Sequence, residues 1–260
     1  MHTDHLESIL AQFSTAFTTR DLMTPCDVLV RADSLEEGHA EGERRGYDVI
    51  PHPRVGPLTG YYYRGGDLTP LTPSHLVSDG TSLLDLLSLL ARREFYFVLR
   101  GSEISGYVHF SDLNKPLMRT PLYLLLVATE RHLLSLIRQS LAEDDVRCVL
   151  DGERFKYLQR YLRKATLKRA DTSLWDVMGL RDILNVAAAY GFARVSDTEQ
   201  ITEREVEEMV EIRDSIAHSG LLLVDGHDAV ERLIKLHQSC AQLRLLNGAP
   251  SLPSEQSLGD

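Results

Sequence analysis

The sequence predicts an α+β protein in which an α/β module is followed by an all-α helical bundle. Two observations predict this class. First, a pattern of helix, apolar strand, turn and strand occurs twice in the first half of the chain, at an offset of about 48 residues. Second, apolar residues recur at three- and four-residue spacing through most of the second half, which is typical of amphipathic helices. A chain of 260 residues is long enough for two domains of ordinary size.

Composition and charge place the chain among ordinary globular proteins. Apolar residues make up 43% of the chain and charged residues 25%. The net charge of -10 excludes a protein that as a whole coats nucleic acid. No stretch approaches about 18 uncharged apolar residues, and the N-terminus lacks the features of a signal peptide, so we expect no membrane partner.

Cysteine usage bears on the compartment and on metal binding. Cys26, Cys148 and Cys240 are scattered and odd in number. This pattern is typical of a reducing cytoplasm, and it indicates neither a disulfide framework nor a zinc site. We therefore predict a cytoplasmic protein without a metal site.

The chain begins with a predicted lead helix within residues 5–19, and we assign residues 1–17 to this segment. The two copies of the repeat follow. Each copy ends in an Asp-Leu pair that is predicted to open another helix, at Asp67 in the first copy and at Asp112 in the second.

The second copy has the clearer pattern. It predicts a helix from Leu83 to Leu90, a buried strand from Phe95 to Leu99 and a hairpin turn from Arg100 to Glu103. The first copy is looser, because Gly38, Gly42 and Gly46 surround its helix.

The repeated unit resembles the cystathionine-β-synthase (CBS) domain, and two in tandem resemble a CBS pair, or Bateman-type module, over residues 18–117. The resemblance is carried by Asp21-Leu22-Met23-Thr24-Pro25, Tyr47-Asp48-Val49-Ile50-Pro51, Val77 through Leu83, and Gly106-Tyr107-Val108-His109-Phe110-Ser111-Asp112-Leu113.

The resemblance implies a cleft between two sheets that binds an adenosine nucleotide (AMP- or ATP-like) as a regulatory ligand. By the family pattern Asp112 takes the ribose hydroxyls, Ser111 helps to hold phosphate or sugar, and Asp67 has the equivalent place in the first copy. The chain departs from the pattern at His109, where the family has Thr or Ser, and at Asp67, whose turn is one residue longer. The alternative is that both aspartates are helix N-caps.

The second half contains five predicted helices, and four or five of them are expected to pack antiparallel as a bundle over residues 118–246. Their predicted ranges are 122–141, 154–169, 174–190, 203–219 and 228–246, and the fourth is predicted to begin with Thr202 as its N-cap and Glu205 as the capping-box partner. The tail, residues 247–260, is rich in Pro, Ser and Gly and is predicted to be disordered. One helix carries a basic cluster that either tracks a phosphate backbone or is a solvated face (Arg154, Lys156, Arg160, Arg163, Lys164, Lys168 and Arg169).

A charged motif ends the fourth helix. Arg213 falls on the apolar stripe of that helix, and Asp214 lies four residues before His218, so that the two can pair on one face. A buried arginine needs a partner or a water-filled cleft. The alternative is a surface pair of Asp214 and His218 with Arg213 extending to solvent.

A helical bundle with Arg213-Asp214-x3-His218 before a loop and a final helix resembles the HEPN family (higher eukaryotes and prokaryotes nucleotide-binding). Many members are metal-independent endoribonucleases that act as dimers. The resemblance implies a homodimer in which His218 is the general acid or base, Arg213 stabilises the phosphorane and Asp214 orients the imidazole. RNA would be the substrate, and catalysis would need no cofactor.

These observations lead to one main hypothesis and two alternatives. The main one is a module that senses an adenine nucleotide and controls a HEPN-type endoribonuclease. The second is a non-catalytic nucleotide sensor whose helical domain dimerises or docks a partner. The third takes both halves as scaffold.

Overall fold

A computed structural model describes residue 12 and residues 16–167, 172–196, 198–218 and 220–245. It divides into two compact units. The sheet unit comprises Ala11–Pro121 and Leu223–Glu231, and the helical unit comprises Leu122–Leu222 and the chain from Arg232. Most of the predicted lead helix and the whole predicted tail lie outside the described residues.

The sheet unit contains two small sheets and confirms the α+β class. Its elements are α1 (Thr19–Leu22), β1 (Thr24–Pro25), α2 (Leu35–Arg45), β2 (Val49–His52), β3 (Gly60–Tyr63), β4 (Thr69–Pro70), β5 (Leu76–Ser78), α3 (Leu83–Leu90), β6 (Phe95–Arg100) and β7 (Glu103–His109). Strands β1, β7, β6 and β5 form one sheet in that order, and β2, β3 and β4 form the other. Only the β5–β6 pair is parallel among these strands.

Local sequence signals account for the helices of the repeat. In α2 the Ser34 side chain accepts the amide of Glu37, and Gly46 ends the helix at a φ of 67°. Ser82 caps α3 in the same way, and α3 has the predicted bounds. Helix, strand and strand therefore occur in the same order in both copies, as predicted.

The expected helix at Asp67 is absent from this part of the described chain, and the prediction was wrong. Residues 69 and 70 instead form β4, where Thr69 pairs with Tyr61. Thr69 precedes a proline, which disfavours a helical backbone at that residue. In the second copy Asp112 lies in a 3-10 helix, Phe110–Asn114.

The core of the sheet unit is aromatic. Phe97 of β6 is 0% exposed, and its ring centroid lies 5.7–6.0 Å from those of Phe95, Tyr61 and Tyr107. Tyr61 belongs to the β2–β3–β4 sheet, whereas the other three belong to the second sheet. The aromatic side chains thus join the two sheets.

The second half is helical, with α4 (Pro116–Ser140), α5 (Glu143–Val149), α6 (Gly152–Leu167), α7 (Leu180–Ala189), α8 (Glu203–Ala217) and α9 (Ala229–Leu245). The short α5 was not predicted. Helix α4 begins before residue 122, because Pro116 suits a first helical position. Helix α7 begins after residue 174, because Leu174–Asp176 forms a 3-10 turn. No helix of the described ranges is long and apolar enough to cross a membrane.

The capping box predicted for α8 is present. The Thr202 side chain accepts the Glu205 amide, and the Glu205 carboxylate accepts the Thr202 amide at 2.8 Å. The segment before α9 belongs to the sheet unit, where Asn114 Oδ1 accepts the amides of Leu223 and Val224 at 2.7 and 3.0 Å. These hydrogen bonds join segments that are far apart in the sequence, so the hydrophobic periodicity of either segment could not predict them.

Candidate functional site

The sheet unit contains a cleft of about 380 Å³ beside Asp112. One wall is the segment Val28–Val30 before α2, another is the start of β2, and a third is the end of β7 with the 3-10 helix that follows it. The lining residues are Thr24, Val28, Leu29, Val30, Gly46, Tyr47, Asp48, Val49, Pro51, Tyr107, His109, Ser111 and Asp112. The size and mixed lining are typical of small-molecule sites.

Asp112 has the capping role that was the alternative to ligand binding. Its Oδ2 accepts the His109 amide at 2.8 Å, and its Oδ1 lies 2.9 Å from Lys115 Nζ. A carboxylate has about four acceptor positions, so two contacts leave acceptor capacity toward the cleft. Ser111 also lines the cleft, and its Oγ lies 2.8 Å from His109 Nδ1.

His109 has an unusual environment. Its Nδ1 accepts the Ser111 amide at 3.3 Å, whereas its Nε2 is buried and has no hydrogen-bond partner among the described residues. Burial lowers the pKa of the His109 imidazole, and Asp112 acts in the opposite direction. Burial therefore favours the neutral form of the ring, and one buried ring nitrogen has no hydrogen-bond partner in the described part of the chain.

Two carboxylates stand next to His109. Ligand atoms of Asp48, Glu94 and His109 all lie within 4.8 Å of one another. The Arg64 guanidinium bridges the acids, with Nη2 at 3.1 Å from both Glu94 oxygens and Nε at 3.4 Å from Asp48 Oδ1. Tyr63 donates its hydroxyl to Glu94 at 2.6 Å, and burial together with this bond raises the pKa of Tyr63 to about 12.

Asp67 does not join the cleft that holds Ser111 and Asp112. It is exposed, and it also does not line a second, larger cleft of about 620 Å³ in the sheet unit. That second cleft lies among apolar residues such as Leu58, Leu71 and Leu76. The structure therefore brings together two of the three predicted nucleotide-site residues.

The helical unit carries the second predicted set at the end of α8. Arg213 Nη1 lies 3.0 Å from Asp214 Oδ1, and 38% of the Arg213 side chain is exposed. Burial raises the pKa of Glu130 on α4, and the positive charge of Arg213 acts in the opposite direction. His218 is exposed and follows the last residue of α8, where its amide donates to the Asp214 carbonyl. Ala217, an apolar residue in the last turn of the same helix, is exposed.

Sequence reasoning missed Glu94 and Glu130 and did not assign a role to Asp48. The signal for Glu94 was an acid directly before a buried strand, and its meaning depends on the strand register. Phe95 pairs with His109 across β6 and β7, which places Glu94 beside the end of β7. No sequence pattern around Glu130 pointed to a functional role, because only the packing of the helices places it near Arg213.

No protein-family model and no curated protein matches the chain. Solved structures of the CBS domain of a bacterial CNNM/CorC family Mg²⁺ transporter are similar to 43% of it, each with a TM-score of 0.33. The complex with ATP is 20% identical and covered over 91% of its length, and the complex with the inhibitor IGN95a is 18% identical and covered over 82%. With a TM-score this low, the assignment of the site depends on the chain's own residues.

Proposed function

We propose that the chain is a nucleotide-sensing regulatory protein whose sheet unit, a CBS-type pair, binds an adenosine nucleotide in the cleft beside Asp112. The observation that carries the proposal is the composition of this cleft. It combines a carboxylate, a serine hydroxyl, strand-end backbone and apolar side chains in one cavity of about 380 Å³. The carboxylate is complementary to ribose hydroxyls, the serine hydroxyl to a phosphate or sugar, and the backbone and apolar side chains to a purine ring.

The roles proposed for the polar residues follow from the hydrogen-bond positions that their contacts within the protein leave unused. Asp112 accepts the two ribose hydroxyls with the lone pairs that its cap and Lys115 leave available. The segment Val28–Val30 and Tyr47 provide apolar and aromatic surface for the base.

Replacing Asp112 by asparagine is expected to weaken AMP or ATP binding at least tenfold, which corresponds to about 1.4 kcal/mol. Asparagine still accepts the His109 amide, so the 3-10 helix keeps its cap, but the charged acceptor for the ribose is lost. Isothermal titration calorimetry of the full chain with each nucleotide measures the change.

The matched control is Asp67→Asn, which makes the same chemical change outside the cleft. The affinity of this variant for AMP or ATP should equal that of the unaltered protein. Absence of binding heat with either nucleotide in the unaltered protein, or an equal loss in both variants, contradicts the proposed site.

A second proposal concerns the helical unit, which we infer to act as a HEPN-type, metal-independent endoribonuclease under control of the nucleotide. The proposal is supported by the grouping of Arg213, Asp214 and exposed His218 within the last turn of α8 and the residue after it. His218 would exchange a proton with the ribose 2′-hydroxyl or the leaving oxygen, and Arg213 would stabilise the phosphorane. A homodimer would bring two such motifs together around RNA.

Replacing His218 by alanine is expected to lower RNA cleavage at least about a hundredfold, because general acid–base catalysis contributes on this scale. The assay uses full-length protein with EDTA and identifies a 2′,3′-cyclic phosphate product. His237→Ala, a histidine on α9, is the matched control and should retain activity. Equal activity in the His218 variant, or none in the unaltered protein, favours the non-catalytic alternative, in which the helical unit dimerises or docks a partner.

A further inference from the structure

The structure also points to a cation site that the cysteine pattern did not suggest. Asp48 stands before β2, Glu94 before β6, and His109 at the end of β7, so three strand ends meet at one point of the sheet unit. Backbone hydrogen bonds hold these three strand ends together. The Phe110 amide donates to the Glu94 carbonyl at 2.8 Å, and the Arg64 amide to the Asp48 carbonyl at 2.7 Å.

We propose that Asp48, Glu94 and His109 bind a divalent transition-metal ion of the Zn²⁺ type, which replaces the Arg64 guanidinium between the two carboxylates. The set contains one imidazole nitrogen and two carboxylates. Mg²⁺ and Ca²⁺ take oxygen ligands, whereas imidazole favours zinc and its neighbours in the first transition row. A divalent ion also matches the two negative charges better than one guanidinium does.

The unsatisfied nitrogen of His109 is the observation that points to a ligand. A buried polar atom without a partner costs about 1–3 kcal/mol, and such atoms in native proteins commonly mark a missing ion or water. In the described state Nδ1 accepts the Ser111 amide, so metal binding at Nε2 requires the ring proton to move to Nδ1 and that weak bond to be given up. There, Ser111 Oγ at 2.8 Å is placed to accept it and to orient the ring.

The ligand atoms are close enough for one ion after small side-chain rotations. A tetrahedral zinc with ligands at about 2.0–2.1 Å holds them about 3.3 Å apart. The ligand atoms now lie within 4.8 Å of one another, so the longest of these distances would have to shorten by up to about 1.5 Å. The side chain that must leave is free to do so, because 53% of the Arg64 side chain is exposed.

Arg64 gives the sharpest test, because removing it should improve binding. Arg64 has a φ of 49°, a conformation that asparagine tolerates well, so Arg64→Asn removes the charge without adding backbone strain. Without the competing guanidinium, Zn²⁺ affinity should rise at least tenfold. Loss of local structure at the site would weaken binding there, so it would not explain tighter binding at a single site.

His109→Asn is the complementary change. Asparagine retains an acceptor for the Ser111 amide but has no equivalent of Nε2, and Zn²⁺ affinity should fall at least tenfold. His237→Asn on α9 is the matched control and should bind as the unaltered protein does. All proteins carry Cys148→Ser, because this exposed thiol would itself bind zinc.

The experiment is a calorimetric titration of the full chain with Zn²⁺ alone, repeated with Mn²⁺ and Mg²⁺. One site with Zn²⁺ tighter than Mn²⁺, and Mg²⁺ weakest, supports the inference. The inference fails if Zn²⁺ gives no heat in either the unaltered protein or Arg64→Asn, which would mean that only water meets Nε2. It also fails if His109→Asn binds equally well. No nucleotide is present, so the outcome is independent of the nucleotide proposal.

Discussion

Replacing Arg154 by methionine is expected to lower the free energy of unfolding of the helical unit by about 3 kcal/mol. Arg154 Nε and Nη2 donate to the two Asp182 oxygens at 2.8 and 2.7 Å, and Asp182 is only 2% exposed. Losing the arginine leaves a buried carboxylate without its counter-ion. The loss stays at the lower end of the range for broken buried pairs, because the Gly179 amide still donates to Asp182 at 2.9 Å near the start of α7.

Urea unfolding followed by the fluorescence of Trp175, the single tryptophan, measures this change within the helical unit. Arg160→Met is the matched control on the same helix, because Arg160 is exposed. It should shift the free energy of unfolding by less than about 0.5 kcal/mol. Similar values for the two variants would show that the Arg154–Asp182 pair does not stabilise the unit. Arg154, which the sequence placed in a basic cluster, thus has a structural contact.

Replacing Phe97 by alanine is expected to destabilise the sheet unit by about 3–5 kcal/mol. Phe97 is completely buried, and its ring meets those of Phe95, Tyr61 and Tyr107. The substitution removes apolar burial, leaves a cavity and abolishes three aromatic contacts. Because Tyr61 belongs to the other sheet, the junction between the sheets loses its central contact.

Hydrogen exchange of the β6 and β7 amides measures the loss, since their protection reports the opening of this sheet. Val55→Ala is the control, because Val55 is 81% exposed and its truncation should change protection little. Unchanged protection in the Phe97 variant would mean that the aromatic cluster is not the core of the unit. A large drop would also predict weaker nucleotide binding, because Tyr107 lines the cleft.

Elements whose signals lie within a few residues were predictable. Helix α3 has the predicted bounds, and the Thr202–Glu205 capping box that begins α8 is present as expected. In both cases a polar cap and an apolar period act over one or two helical turns, so no distant contact is needed to select the structure. The repeat of helix, strand and strand was visible for the same reason.

The sequence-based predictions were wrong where a local sequence pattern favoured one structure and a contact with a residue distant in the chain favoured another, or where the pattern fitted two structures equally well. Asp67-Leu68 was expected to open a helix, but Thr69 pairs with Tyr61 as a strand. The start of α7 was placed too early, because apolar spacing does not distinguish a 3-10 turn from the first turn of a helix. Asp112 has the N-cap geometry that the sequence allowed as an alternative, and its role toward a ribose stays a prediction.

The sequence by itself determined the α+β class, the twofold repeat and the positions of most helices, because periodicity and caps act locally. Only the tertiary structure decided which charged groups meet. The register of β6 on β7 brought Glu94 to His109, and helix packing brought Asp182 to Arg154. These charged contacts join residues that are far apart in the chain. The pattern of apolar residues along one segment does not show which other segment packs against it.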